Sequence, residues 1–149
     1  MIKVGILELQ GDFELHHNIL RELGYTSFSV KESTDLENLD GLIIPGGEST
    51  TMSLLIDSFN LRKSILDFSK ENSILGTCAG LILMARAIED ESKVNPLGIL
   101  DIEVSRNAYG RQIMSRKENI TIESDSKIFN MEVTLIRAPK ILKINKNIN

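Results

Sequence analysis

Ser73-Ile74-Leu75-Gly76-Thr77-Cys78-Ala79-Gly80-Leu81 carries a short apolar run into a turn of small residues and out into an amphipathic stretch. Ser73 to Leu75 reads as a strand, and Leu81 to Ala87 as the helix that follows. A strand that ends on Gly-x-Cys-x-Gly and passes straight into a helix is suited to carry a nucleophile. The sharp bend exposes Sγ, the small neighbours avoid clashes, and the N-terminus of the new helix favours thiolate over thiol. An ordinary cysteine has a pKa of about 8.5, so such help matters. A lone cysteine is more often an inert buried residue; the glycines on either side of Cys78 are what turn the reading towards catalysis.

Outward from that turn the chain alternates strands with helices. Ile2 to Leu9 is a β-rich run stopped by Gln10-Gly11-Asp12, and Phe13 to Leu23 carries Leu15, Ile19, Leu20 and Leu23 at helical spacing before Gly24. Thr26 to Val30 and Leu42 to Ile44 read as further strands, the latter stopped by Pro45-Gly46-Gly47. Ser49-Thr50-Thr51 offers capping hydroxyls to a helix running to about Phe59, and Leu61 to Phe68 supports another. This alternation predicts an α/β protein: a three-layer αβα sandwich around a doubly wound, mostly parallel sheet. After Glu89, strands are predicted over Gly98 to Val104, Ile120 to Ile122, Ile128 to Asn130 and Glu132 to Ile136, with few helical residues between them. They suggest an antiparallel extension of the sheet. Ile141, Leu142, Ile144 and Ile148 suggest one more strand in the lysine- and asparagine-rich tail.

A chain of 149 residues, 42% of them hydrophobic, suits one domain that buries about 68 to 70% of its unfolded surface. A net charge of -4 gives no extended basic field, which argues against nucleic acid as a partner. A single cysteine excludes an internal disulfide framework, and no charged and apolar leader precedes Ile2, so a cytoplasmic location is expected. No apolar run approaches the roughly 20 residues of a membrane span. Cys78 and the adjacent His16 and His17 lack metal-ligand spacing, and no phosphate-binding loop is present, so neither a metal nor a cofactor is expected.

Acyl transfer at a thiol also needs main-chain donors for the developing oxyanion. The Ala79 amide, directly after the nucleophile, is one candidate, and the turn Pro45-Gly46-Gly47-Glu48-Ser49 can supply another, because glycine lets the backbone point an N–H inward. By itself Pro-Gly-Gly is an ordinary tight turn. Two such turns at the ends of neighbouring strands, where parallel sheets gather their ligands, carry more weight.

Five segments then occur in order: Gln10 to Phe13 (QGDF), Pro45 to Thr51 (PGGESTT), Gly76 to Leu81 (GTCAGL), Arg106 to Gln112 (RNAYGRQ) and Ile136 to Pro139 (IRAP). Together they closely resemble the glutaminase subunit of pyridoxal 5'-phosphate synthase, a class I glutamine amidotransferase, over nearly the whole chain. GTCAG by itself indicates only the broader superfamily; PGGESTT with RNAYGRQ indicates this subunit. The resemblance implies a flavodoxin-like, class I amidotransferase-like sandwich and assigns roles position by position. Cys78 attacks the side-chain amide of L-glutamine and forms a glutamyl thioester, releasing ammonia. The amides of Gly47 and Ala79 form the oxyanion hole. Gly46, Gly47 and Glu48 hold the substrate, with Glu48 suited to its ammonium group, and Arg106 pairs with its carboxylate. Ile136 and Arg137 line the same pocket. Gln10 lies towards the synthase (lyase) subunit, the partner in a large hetero-oligomer, and the ammonia exit.

Members of this family end with a His-x-Glu segment in which the histidine takes the thiol proton and the glutamate orients the imidazole. The present sequence stops before such a segment, and no histidine occurs in the 71 residues after Cys78. The expectation is therefore a single glutaminase domain over residues 1–149 that is C-terminally incomplete and that by itself hydrolyses glutamine poorly or not at all. His16 and His17 are expected on the first helix, one of them towards a partner, and not as the base. The alternative is a non-catalytic glutamine-binding or regulatory homologue. Another cysteine hydrolase on the same kind of sheet, peptidase-like or linked to stress response, is disfavoured by PGGEST and RNAYGRQ.

Overall fold

The computed structural model describes residues 2–89, 93–106, 108, 116–124, 127–135 and 138–145. Strands β1 (Lys3–Leu7), β2 (Thr26–Val30), β3 (Gly41–Ile44) and β4 (Ser73–Gly76) form a four-stranded sheet in the order β2-β1-β3-β4, parallel throughout. The register pairs Val4 with Gly41, Ile6 with Ile43 and Ile44 with Gly76. The C-terminal ends of β1, β3 and β4 therefore lie side by side.

Parallel strands need crossovers, and here they are helical. Helix α1 (Phe13–Glu22) joins β1 to β2 and packs on both; α2 (Ser49–Ser58) and α3 (Leu61–Phe68) join β3 to β4 and pack on each other; α4 (Ala79–Met84) leaves β4 and packs against β3, β4 and α2. Period-two alternation sends Leu7, Val30, Leu42 and Ile44 into one cluster with Met52 and Ile56 of α2, Leu61 and Ile65 of α3 and Leu83 of α4, all of them nearly or completely buried. The apolar stripe on α1 behaves differently: Leu15, Ile19 and Leu23 are more than half exposed, and no residue of that helix is buried.

Two helix ends depart from the sequence reading. Glu48, not a serine or threonine, caps α2: its carboxylate accepts the backbone N–H groups of Thr50 and Thr51, and the Thr51 hydroxyl donates to it as well. The helix expected over Leu81 to Ala87 ends at Met84, and Ala85–Ile88 forms strand β5. The carbonyls of Leu83 and Ala85 accept the N–H groups of Leu97 and Gly98, so neither continues the helical ladder.

Beyond Glu89, β6 (Leu100–Ser105) runs parallel to β5 and antiparallel to β9 (Lys140–Ile144), a three-stranded ladder separate from the first. The two short strands expected within 128–136 are one continuous strand, β8 (Lys127–Leu135), which pairs antiparallel with β7 (Arg116–Ser124) along the whole length of both.

Candidate active site

Three loops meet at the C-terminal edge of the parallel sheet. Thr77 N–H donates to the Ile44 carbonyl at 3.1 Å, which extends the β3–β4 ladder one residue past Gly76 and holds the cysteine turn against the Pro45–Glu48 loop. The Gln10–Asp12 loop after β1 closes on the same segment from the other side. Asp12 N–H donates to the Gly46 carbonyl and Glu48 N–H to Gln10 Oε1, both at 2.9 Å. The approach leaves no room for side chains. A β-carbon on Gly47 would stand 2.5 Å from Gln10 Oε1, and one on Gly11, whose φ is +101°, 2.0 Å from the Gly46 carbonyl oxygen. With its carbonyl taken by Asp12, the planar trans peptide turns Gly47 N–H away from the Gln10–Asp12 loop.

Cys78 occupies the bend between β4 and α4 at φ 49°, ψ −101°, a conformation side-chained residues rarely adopt. The residue is exposed and its thiol is unpaired. A β-carbon on Gly46 would lie 3.5 Å from Cys78 Cβ, so the glycine main chain passes within van der Waals reach of the nucleophile. The expected lowering of the thiol pKa is not what this geometry produces. Partial desolvation by the surrounding turns pushes it above the ordinary range, and the single N–H of Ala79 only partly offsets this. Helix α4 is six residues long, and its field is correspondingly modest.

Glu48 and Arg106 come together although 58 positions separate them. Arg106 Nη2 lies 3.4 Å from Glu48 Oε1 and 3.2 Å from Thr50 Oγ1. Desolvation by itself would raise the Glu48 pKa, but its bonds to Thr51 and Thr50 outweigh that and hold the carboxyl at about 2, so it is ionised at neutral pH. The structure thus gathers Gln10, Gly46, Gly47, Glu48, Cys78, Ala79 and Arg106 at one end of the sheet. Ile136, Arg137, Asn107 and residues 109–112 lie outside the described residues.

The histidines are also at this end, with partners the sequence did not reveal. His16 Nε2 is 3.2 Å from Thr77 Oγ1, immediately before the nucleophile. His17 lies 2.6 Å from Ser27 Oγ through Nδ1 and 2.7 Å from Glu8 Oε1 through Nε2. Lys31 and Ser29 complete the shell around the Glu8 carboxylate, whose bonds outweigh desolvation and lower its pKa. No spacing rule links these residues; they meet because α1 packs back against β1 and β2.

A thiol held out on such a bend, with glycine main chain beside it at the carboxyl edge of a parallel sheet, defines the class: a cysteine acyltransferase of doubly wound α/β architecture. Residues 6–149 match the SNO glutamine amidotransferase family, and the chain belongs to that family. It is 44% identical over 147 residues to the pyridoxal 5'-phosphate synthase subunit PdxT of Oenococcus oeni, covering 99% of this chain and 75% of that protein. To the subunit of the same name from Thermosipho africanus it is 40% identical over 148 residues, covering 99% and 77%. A crystal structure of a glutamine amidotransferase superposes with a TM-score of 0.87 at 34% identity, covering 96% of this chain and 75% of that one.

Proposed function

We propose that this chain is the glutaminase subunit of pyridoxal 5'-phosphate synthase, hydrolysing L-glutamine to L-glutamate and ammonia and passing the ammonia to the synthase subunit for vitamin B6 cofactor synthesis. The observation that carries this reading is the exposed Cys78 thiol beside the Gly46-Gly47 peptide, in a chain that belongs to an amidotransferase family.

In this reading the Cys78 thiolate attacks the side-chain amide carbon of glutamine, and the carbonyl oxygen gains negative charge that Gly47 and Ala79 N–H groups stabilise. The carbon–nitrogen bond then breaks, ammonia leaves carrying the proton that the Cys78 thiol gave up, and a γ-glutamyl thioester forms on Sγ. Water cleaves the thioester, releasing glutamate and returning the thiol. Arg106 receives the α-carboxylate and Glu48 the α-ammonium, exchanging part of their mutual contact for contacts to the zwitterion. Gln10, bonded to the glycine loop, faces the synthase partner and the ammonia exit, so docking there is placed to act on the oxyanion peptide. His16 and His17 are hydrogen-bonded to Thr77 and to Glu8 and Ser27, and neither is assigned the role of base to Cys78. A location in the cytoplasm is consistent with a single unpaired cysteine.

The test is covalent labelling of Cys78 by a glutamine-mimicking electrophile, read by mass spectrometry with and without L-glutamine, alongside ammonia release in the presence of the synthase subunit. Labelling at Cys78 that glutamine suppresses is expected, as is loss of any ammonia release in Cys78→Ala with synthase binding intact. Labelling indifferent to glutamine would sink the proposal.

A further inference from the structure

We propose that His16 is a positioning residue for the nucleophile turn, acting through the Thr77 hydroxyl to hold Cys78 and the Gly46-Gly47 peptide in register; the inference rests on the glutaminase reading of this site. Thr77 has three polar groups, and two are committed to the main chain: its N–H donates to Ile44 and its carbonyl accepts from Gly80 at 2.9 Å. The third, the hydroxyl, meets His16 Nε2 at 3.2 Å. That hydroxyl is also a wall of the glycine loop, since a β-carbon on Gly46 would lie 3.9 Å from Thr77 Oγ1 and 3.7 Å from the Thr77 carbonyl oxygen. One imidazole therefore holds the side chain that borders the oxyanion loop and immediately precedes the nucleophile.

Two features separate this role from simple anchoring of the helix. Helix α1 buries none of its residues, so the bond does not complete a core; it reaches from a half-exposed helix to a strained turn. The helix has a separate polar attachment through His17 to Glu8 and Ser27. The left-handed φ of Cys78 is a conformation that persists only where neighbours hold it, and Thr77 is the adjoining residue. Burial lowers the His16 pKa; Asp12 opposes this and His17 reinforces it, so the ring is neutral near pH 7. A neutral imidazole nitrogen meets a hydroxyl in either tautomer, because the hydroxyl can donate or accept.

The experiment compares wild type, His16→Ala, Thr77→Val and the double variant by the rate of Cys78 modification with two reagents. A diazoketone analogue of glutamine requires the formed site, whereas iodoacetamide requires only an accessible thiolate. Loss of one hydrogen bond predicts about fivefold slower labelling by the saturating analogue in either single variant, with its half-saturating concentration unchanged. The double variant should be no slower than the singles, and Thr77→Ser, which keeps the hydroxyl, should recover most of the rate. Iodoacetamide should react about twofold faster or more in both singles, because a loosened turn relieves the desolvation of the thiol. Wild-type rates with both reagents in His16→Ala, or penalties that multiply in the double variant, would overturn the role of His16. Failure of the analogue to label wild type would strike the glutaminase reading instead, and the iodoacetamide rates would still decide whether His16 orders the turn. Should His16→Ala fail to fold, Thr77→Val tests the same bond from its other end.

Discussion

Gly80, in the first turn of α4, lies so close to Ile44 at the end of β3 that a β-carbon on it would stand 2.1 Å from the Ile44 carbonyl oxygen. The second glycine of the cysteine motif is therefore a packing requirement as well as a local one. It lets the helix start directly above the strand whose next residues form the oxyanion loop. The first glycine does the same from β4, where a β-carbon would meet Gly80 carbonyl carbon and Met84 Sδ, each at 2.6 Å.

Gly80→Ala should consequently displace α4 from β3, because the obstacle is main chain and cannot rotate away. A loss of about 2 kcal/mol or more is expected in urea unfolding, within or above the usual cost of overpacking. Labelling of Cys78 by a glutamine analogue should fall with it. Wild-type stability in this variant would show that the strand and helix can separate at little cost.

Much of this arrangement was legible in the sequence, and the reasons are local. Pro45, Gly46, Gly47, Gly76 and Gly80 interrupt apolar runs, so both turns and the strands before them could be placed without tertiary knowledge. The end of α4 was not legible. Leu81 to Ala87 contains no breaker, and the helix stops because Leu97 and Gly98 reach back to the carbonyls of Leu83 and Ala85. The same holds for Glu48, read as a substrate ligand: its capping bonds are local, but its contact with Arg106 depends on how β6 meets α2. His16 and Thr77 carry no mutual signal at all, since only the fold brings them together.

Gln10→Ala removes the acceptor of Glu48 N–H and opens space beside Gly47. The chain should still fold, with stability lower by about 1 kcal/mol. Its half-saturating concentration for a glutamine analogue should rise severalfold, because the loop that holds the substrate is no longer held itself. An unchanged value would separate Gln10 from the binding loop.

The carboxylate of Glu48 links stability to acid. Its pKa falls from about 4.5 to about 2 on folding, so it stabilises the native state above the unfolded value, and that contribution disappears as pH drops through the folded one. Glu48→Ala should lower stability at pH 7 by about 1 kcal/mol, the usual worth of an N-cap, with the deficit shrinking between pH 4.5 and 2. The side chain is half exposed, so the full linkage value of the shift is not expected. Urea midpoints measured across that range for both proteins test this, and a deficit constant with pH would contradict the assignment.

Arg106→Lys keeps the charge but replaces the guanidinium whose Nη2 reaches both Glu48 and Thr50, and with it the planar fork suited to a carboxylate. Weaker glutamine protection of Cys78 is the expected outcome, with the unprotected rate of iodoacetamide labelling little changed. Equal loss of both would place Arg106 in the structure of the turn and not in substrate recognition.

The last prediction concerns the strain at the nucleophile itself. A side chain at φ 49°, ψ −101° costs on the order of 1–3 kcal/mol, whereas glycine adopts positive φ freely and loses roughly 0.5–1 kcal/mol through its more mobile unfolded state. Cys78→Ala keeps the strain and removes the thiol; Cys78→Gly removes both. The difference between those two variants isolates the backbone, because neither retains a sulfur that desolvation could affect. Cys78→Gly should be the more stable by about 1 kcal/mol in urea unfolding at pH 7, although it cannot form the thioester. If Cys78→Ala were the more stable, the bend would be held without strain, and its shape would need no compensation from the bonds of Thr77 to Ile44 and His16.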